Sequence, residues 1–132
     1  MNKINICGKE VDLDGEKLNL SNKNLASLSA EIGKLEKLGS LYLDINQLTS
    51  LPTEIGNLEK LKELFLFNNQ LTSLPAEIGK LKNLLHFDLC FNKLTSLPAE
   101  IGEIKKLYEF YLFNNQLTSL PKEIGKLKKL KI

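Results

Sequence analysis

The chain has 132 residues and a formal net charge of +2, and all 18 of its basic residues are lysines. Most lysines alternate with glutamates instead of forming a basic patch, and the chain has no arginine for bidentate contacts with phosphate. We therefore expect no nucleic-acid binding. No apolar run approaches the roughly 20 residues that a membrane helix needs, so we expect no membrane insertion.

The first predicted element is a hairpin-like cap over residues 1–14. Two short alternating stretches, 4–7 and 10–13, flank Gly8 and Lys9, a spacing typical of two strands joined by a turn. Residues 1–7 are too short and polar for a signal peptide, so both a cytoplasmic and an exported protein stay open. Cys7 and Cys90 lie far apart along the chain, and we expect both to be free thiols.

From residue 15 onward, leucine recurs with a period of 23 residues. The periods run 15–37, 38–60, 61–83, 84–106 and 107–129, and residues 130–132 begin a sixth. Leucine opens every period after the first, and leucine or phenylalanine recurs at the fourth, sixth and eleventh places. Such self-similarity is typical of a solenoid, in which each unit buries its apolar face by stacking on its neighbours.

Each period is predicted to contain one strand followed by a turn. Residues 62–67 alternate between apolar and variable side chains, which indicates a strand, and equivalent strands would pair in parallel about 4.8 Å apart. Asparagine occupies the ninth place of four periods, where its amide can satisfy backbone groups as the chain leaves the sheet. We expect these side chains to form an internal ladder that consists of Asn46, Asn69, Asn92 and Asn115.

The return leg of each period is predicted to begin at a proline. Proline at the first position of a helical turn loses no needed hydrogen bond, and the glutamate two places later complements the positive end of the turn. A glycine then closes the turn. Because the segment is short, we expect 3₁₀ or single-turn helices. The four prolines are Pro52, Pro75, Pro98 and Pro121.

The spacing L-x-x-L-x-L-x-x-N-x-L, followed by L-P-x-E-I-G-x-L, resembles the leucine-rich repeat family, and more narrowly its short bacterial, spirochaete-type class. The first period departs most, with Gly15, Lys23 and Ser29 replacing leucine, asparagine and proline, as in a terminal repeat. The resemblance implies an α/β right-handed solenoid with a curved parallel sheet on the concave side and short helical turns on the convex side. It names a fold and not a target.

The outward places of the strands hold seven of the nine aromatic residues. Neighbouring rings in solvent form an apolar patch, which usually marks a contact surface, whereas lateral packing within the sheet is the alternative explanation. Five strands span about 24 Å, which suits a protein interface better than a small-molecule pocket. We predict no cofactor and a protein or peptide partner that contacts Tyr42, Asp44, Glu63, Phe65, Phe67, His86, Asp88, Phe91, Tyr108, Tyr111 and Phe113.

Two sets of reactive side chains are candidates for chemical sites. His86 and Cys90 lie on one face of a strand, but their separation of about 13 Å is too long for a base and its nucleophile. The row Glu63, His86 and Glu109 across three strands has ligands for a metal, yet long glutamates in solvent are seldom held rigidly. We therefore expect a row of ion pairs, with no metal site and no enzymatic activity.

Two further functions remain as alternatives to a simple interaction module. The chain would serve either as the substrate-recognition part of a larger bacterial effector enzyme, such as a ubiquitin ligase, or as a structural spacer without a partner. At the other end of the chain, Ile124 and Leu127 are expected near an open face beside an uncovered edge strand. This end predicts either self-association or a longer parent chain.

Overall fold

A computed structural model describes residues 2–131, which form seven short strands and five 3₁₀ helices. Met1 of the predicted cap and Ile132 of the predicted sixth repeat lie outside the described residues. The strands are β1 (Lys3–Ile6), β2 (Lys9–Asp12), β3 (Lys17–Asn19), β4 (Ser40–Tyr42), β5 (Glu63–Phe65), β6 (His86–Asp88) and β7 (Glu109–Tyr111). The helices are η1 (Ala30–Lys34), η2 (Thr53–Asn57), η3 (Ala76–Lys80), η4 (Ala99–Glu103) and η5 (Lys122–Lys126).

Strands β3 to β7 form one parallel sheet in chain order, with each residue paired to the one 23 positions later. Leu41, for example, pairs with Leu64, which pairs in turn with Phe87. The named strands are three residues long, shorter than the predicted six, but the inter-coil hydrogen bonds continue beyond them, as from the Ile45 N–H to the Phe67 carbonyl at 2.8 Å. This topology confirms the predicted solenoid.

The core is a continuous stack of the residues that recur at the apolar places of the period. Leu64, Phe87 and Phe110 are fully buried, and the two phenylalanine rings stack with their centroids 5.3 Å apart. Burying one such side chain contributes about 1.5–3 kcal/mol, and no single coil holds enough of them to be stable alone. The stack therefore stabilises the chain only when the coils keep their register.

The ninth-place asparagines hold neighbouring coils together. The Asn69 side-chain amide donates to the carbonyls of Leu43 and Leu66 at 3.0 and 3.1 Å, and its oxygen accepts the Leu48 N–H at 3.1 Å. Because Asn69 is buried, these bonds satisfy backbone groups that water does not reach. Equivalent bonds to two coils are made by Asn46, Asn92 and Asn115.

The prolines stand one residue earlier than predicted. Pro52 has φ −68° and ψ 150°, so it precedes η2 as the N-cap residue, and the equivalent residues in the next three coils do the same. The extended ψ explains the difference, because a residue in that conformation lies outside the helical turn. In the first coil Ser29 takes this place, and its hydroxyl oxygen accepts the Glu31 N–H at 3.1 Å.

The glycines of the helices allow close stacking of the coils rather than only closing a turn. A Cβ atom added at Gly79 would lie 2.7 Å from the carbonyl oxygen of Glu100, and one at Gly102 would lie 2.5 Å from that of Glu123. Real Cβ atoms do not approach an oxygen this closely, so only glycine fits between successive helices. The return side is thus packed backbone against backbone.

The two ends of the described chain differ in structure. At the start, β1 and β2 pair antiparallel and place Ile6 and Val11 in the core beside the first coil. Near the other end, Lys131 forms a parallel bridge with Glu109, and Leu127 is buried whereas Leu120 is 44% exposed. Self-association through this end stays a prediction.

Replacing Asn69 with alanine tests the asparagine ladder. The change leaves the Leu48 N–H without a partner, and such an unsatisfied buried group costs about 1–3 kcal/mol. It also removes one of the two side-chain hydrogen bonds that each of the Leu43 and Leu66 carbonyls accepts. We expect Asn69→Ala to lower the free energy of unfolding, measured by urea denaturation, by about 2 kcal/mol or more. The exposed neighbour provides the control, since Gln70→Ala should change it by less than about 0.5 kcal/mol. Equal effects of the two changes would contradict the ladder.

Candidate functional site

The candidate site is the surface formed by the third, fifth, seventh and eighth places of the periods 38–60 to 107–129, which we call the outer sheet face. None of the eleven predicted contact residues belongs to the buried core. Phe91, Tyr108 and Phe113 are 45%, 48% and 61% exposed, and the other eight are half-buried. Tyr108, at the second place, borders the face and meets the His86 ring edge-on, with the centroids 6.5 Å apart.

The aromatic rings of the face fall into two groups. Tyr42 and Phe65 stack on each other with their centroids 5.1 Å apart, and both are half-buried, so lateral packing within the sheet accounts for this pair. Phe67, Phe91 and Phe113 form a second group, which we call the phenylalanine cluster, with centroid distances of 5.4 and 5.7 Å. This cluster crosses three coils and keeps a large exposed apolar area.

The eighth place of every coil has a left-handed backbone. The φ angles lie between 56° and 60° at Asn22, Ile45, Asn68, Phe91 and Asn114. Asparagine tolerates this conformation, but for a β-branched or bulky residue it is an outlier that costs on the order of 1–3 kcal/mol. The Ile45 and Phe91 side chains are nevertheless 48% and 45% exposed, so burial offsets little of this strain. The sequence contains an indication of this left-handed conformation, because three of the five eighth places are asparagine.

Four carboxylates stand among the rings. The Asp44 carboxylate accepts the Phe67 N–H at 2.8 Å, and burial raises the pKa of Asp44, while that hydrogen bond lowers it and the charge of Asp88 raises it further. Glu63 accepts a hydrogen bond from the Ser40 hydroxyl at 2.6 Å. Asp88 accepts the N–H of Cys90 at 3.0 Å.

Glu109 is the carboxylate with a basic neighbour. Its Oε1 lies 2.7 Å from Nδ1 of His86, a distance typical of a charge-assisted hydrogen bond. Nδ1 is buried and has no well-aligned partner among residues 2–131. The short distance nevertheless indicates that the two groups interact. Hydrogen bonding to Glu109 also raises the pKa of Tyr111.

The row of ion pairs predicted across β5 to β7 forms only in part. Glu63 bonds to Ser40 on the β4 side, whereas His86 pairs with Glu109 on the β7 side. Within residues 2–131, no three His, Cys, Asp or Glu side chains lie close enough to hold a metal ion. The two glutamates therefore do not share a ligand site with the histidine.

Cys90 differs from its predicted place on the outer surface. It is buried, because its short side chain lies between Phe67 and Phe113, the residues at the same place in the neighbouring coils. Burial, followed by a hydrogen bond to Asp88, raises the pKa of Cys90 to about 12. A thiol that stays protonated at neutral pH is a poor nucleophile. Cys7 is also a free thiol.

The surface of the face holds a shallow depression of about 190 Å³ lined by Glu63, Phe65, His86, Asp88, Glu109 and Tyr111, with the buried Phe87 beneath. A larger depression of about 480 Å³ lies on the return side, between residues such as Glu36, Asn57 and Lys82. We regard the smaller one as the better candidate site, because only there do aromatic rings and half-buried carboxylates converge.

The comparisons with known proteins agree with this architecture. The family described as leucine-rich repeat region matches residues 54–132, which is 79 of the 132 residues. No curated protein gives a significant sequence match to the chain. Within residues 2–131, no helix has the length and apolar character required to cross a membrane.

Similar solved structures come from bacteria and plants. A leucine-rich repeat protein of Leptospira interrogans is 43% identical with a TM-score of 0.62, over 82% of this chain and 33% of that one. A plant peptide hormone receptor in complex with RGF2 is 38% identical with a TM-score of 0.70, over 80% and 18%. The ectodomain of the receptor kinase SOBIR1 from Arabidopsis thaliana is 27% identical with a TM-score of 0.74, over 86% and 65%. The chain spans about a third of the Leptospira protein.

Substitutions at Ile45 isolate the cost of the left-handed backbone. Ile45→Asn and Ile45→Ala both remove the apolar side chain, but only asparagine tolerates the positive φ. We expect the asparagine variant to be the more stable by about 1 kcal/mol in urea denaturation. At Gln47, exposed and outside the left-handed positions, asparagine should have no such advantage over alanine. Equal stability of the two Ile45 variants would show that no strain is stored there.

The stability contributed by Asp44 depends on pH. Because its pKa is raised in the folded state, the folded protein binds this proton more tightly than the unfolded chain. The corresponding stability is present below the usual value of 3.8 and is lost as the pH rises through the folded-state pKa. Asp44→Asn keeps the acceptor for Phe67, so we expect a gain in urea midpoint over the wild type at pH 7 that shrinks towards pH 3. A constant difference would contradict this effect.

Proposed function

The chain belongs to the leucine-rich repeat family, and on that premise we propose that it is a non-enzymatic module that binds a protein or peptide on its outer sheet face. The family supplies an interaction scaffold more often than a catalyst, and one similar structure is that of a peptide hormone receptor in complex with RGF2. The face itself offers exposed rings, half-buried carboxylates and a buried, protonated thiol. This composition suits binding better than group transfer.

One observation carries the proposal: Ile45 and Phe91 combine a strained backbone with exposed apolar surface. Either property alone opposes folding, and both occur at a place where three other coils hold asparagine. Residues in sparsely populated backbone conformations cluster at functional sites. We infer that the two side chains are present for contact with a partner.

The phenylalanine cluster extends the apolar surface across three coils, which provides a contact area large enough for a partner. Its three rings connect neighbouring coils, and Phe113 is the most exposed large apolar side chain among the described residues, at 61%. Aromatic side chains dominate the binding energy of protein interfaces, usually at the centre of the contact area. An apolar strip across the sheet, rimmed by polar groups, is the arrangement that such interfaces use.

The alternative functions make different demands on this face. A spacer without a partner would gain nothing from exposed apolar side chains at Ile45 and Phe91. A substrate-recognition part of a larger enzyme would need the same face, so that alternative concerns the parent protein and leaves the binding proposal unchanged.

Selection from a random dodecapeptide library displayed on phage tests the proposal. Peptides that bind the immobilised protein are synthesised with a fluorescent label, and their affinities are measured by anisotropy. We expect Phe113→Ala to weaken binding at least tenfold, because buried aromatic anchors contribute about 2 kcal/mol or more. Thr72→Ala, exposed outside the face, should bind like the wild type.

Thermal unfolding of the same variants separates binding from folding. Because Phe113 is largely exposed, its replacement should leave the melting temperature nearly unchanged. The proposal would be contradicted if the library yielded no binders, or if the selected peptides bound Phe113→Ala and the wild type with equal affinity.

A further inference from the structure

The outer sheet face has a charge opposite to that of the chain. Its third, fifth, seventh and eighth places hold one histidine and no lysine, although the chain has 18 lysines and a net charge of +2. With His86 neutral, the formal charge of the face is −4. The four carboxylates are Asp44, Glu63, Asp88 and Glu109.

The chain itself leaves most of this negative charge uncompensated. Among residues 2–131, the lysine ion pairs lie elsewhere, at Lys34, Lys37 and Lys82, and only Glu109 has a basic partner. Asp44 and Asp88 act on each other, since the charge of Asp88 contributes to the raised pKa of Asp44. Half-buried like charges that repel one another are unfavourable, and a bound cation would relieve the repulsion.

Aromatic rings flank the carboxylate at the centre of the face. Phe65, Asp88 and Tyr111 are aligned on adjacent strands, and Glu63 and Glu109 lie two residues earlier on the outer strands of the three. A cation near the faces of such rings is attracted by their quadrupoles, and carboxylates at the rim add a direct charge interaction. The depression they line, about 190 Å³, is below the size of sites for drug-sized ligands and suits the end of one side chain.

We infer that the partner is a peptide segment that carries a lysine or arginine, held at Asp88 between Phe65 and Tyr111, beside apolar residues that contact the phenylalanine cluster. This inference rests on the proposed function and specifies the chemistry of its partner. A free metal ion fits less well, because no three ligands converge among the described residues. The charge of the face and its continuity with Phe91 and Phe113 favour a segment with both basic and apolar side chains.

A small probe tests the cation site directly. N-acetyl-arginine amide and N-acetyl-citrulline amide have nearly the same shape, and only the first is charged. In an NMR titration of the labelled protein, we expect arginine amide to shift the ring resonances of Phe65 and Tyr111 in a saturable manner. Citrulline amide should bind at least tenfold more weakly. Equal binding of the two probes, or shifts confined to other surfaces, would overturn the inference.

The phage-displayed peptide library provides a second test of the cation site. We expect the selected peptides to be enriched in lysine and arginine, and replacing those residues by glutamine should weaken binding at least tenfold. The double variant Glu63→Gln/Asp88→Asn should cause a similar loss and reduce the dependence of affinity on salt. Asparagine at 88 retains an acceptor for the Cys90 N–H, so the variant should fold. Glu59→Gln, exposed outside the face, is the matched control and should bind like the wild type.

The outcomes distinguish this inference from the proposed function. Peptides that depend on Phe113 but not on their basic residues or on the two carboxylates would leave the binding module intact and refute the cation site. Selection of acidic peptides would refute it as well. Loss of affinity in Glu63→Gln/Asp88→Asn but not in Glu59→Gln, with an unchanged melting temperature, would support it.

Discussion

The 23-residue register between coils is the constraint on which the rest of the structure depends. Each apolar side chain is buried because the equivalent side chain of the next coil covers it, as Leu64 lies between Leu41 and Phe87 in the stack. Asparagine bonds on one edge and close glycine contacts on the other hold this register. A slip by one residue would expose the whole core and bury the polar face. The side chains at the inward places are therefore buried and unable to contact a partner, whereas those at the outward places can vary without loss of the core.

The same register fixes a left-handed backbone at the eighth place of each period, and the residue found there does not always suit that conformation. In the four periods from residue 38 onward, the chain leaves the strand through a left-handed residue, whatever its side chain, and the asparagine that follows it reaches into the stack. Asn68 and Asn114 satisfy this demand, whereas Ile45 and Phe91 do not. Neighbouring repeats thus act as an internal reference. Comparison with the asparagines of the other repeats shows that Ile45 and Phe91 do not suit the left-handed backbone at this place. Hydropathy alone would not distinguish these two residues from ordinary surface variation.

The sequence was sufficient to predict the solenoid, because a period of leucines determines which faces must stack. It was insufficient for features that depend on dihedral angles and close contacts. Pro52 was placed one residue too late, since composition does not separate an N-cap from a first helical residue. The burial of Cys90 was missed because its coverage comes from larger neighbours on other coils. Alternation predicted the side of the sheet for each ring, but which rings contact a partner is not encoded in spacing and stays a prediction.

Segregation of charge gives the outer sheet face a property that its rings alone lack. Most lysines lie on the return legs and loops, where many alternate with glutamates, while the outer sheet face carries four carboxylates among its rings. A basic segment that approaches would be attracted by the negative charge of the face, which orients it before contact. Such steering acts on the association rate and on the choice of partner more than on the final affinity. The apolar strip would then set the lifetime of the complex, because desolvated aromatic contacts resist dissociation. In the proposed complex, rings and carboxylates would have separate roles, and neither set would replace the other.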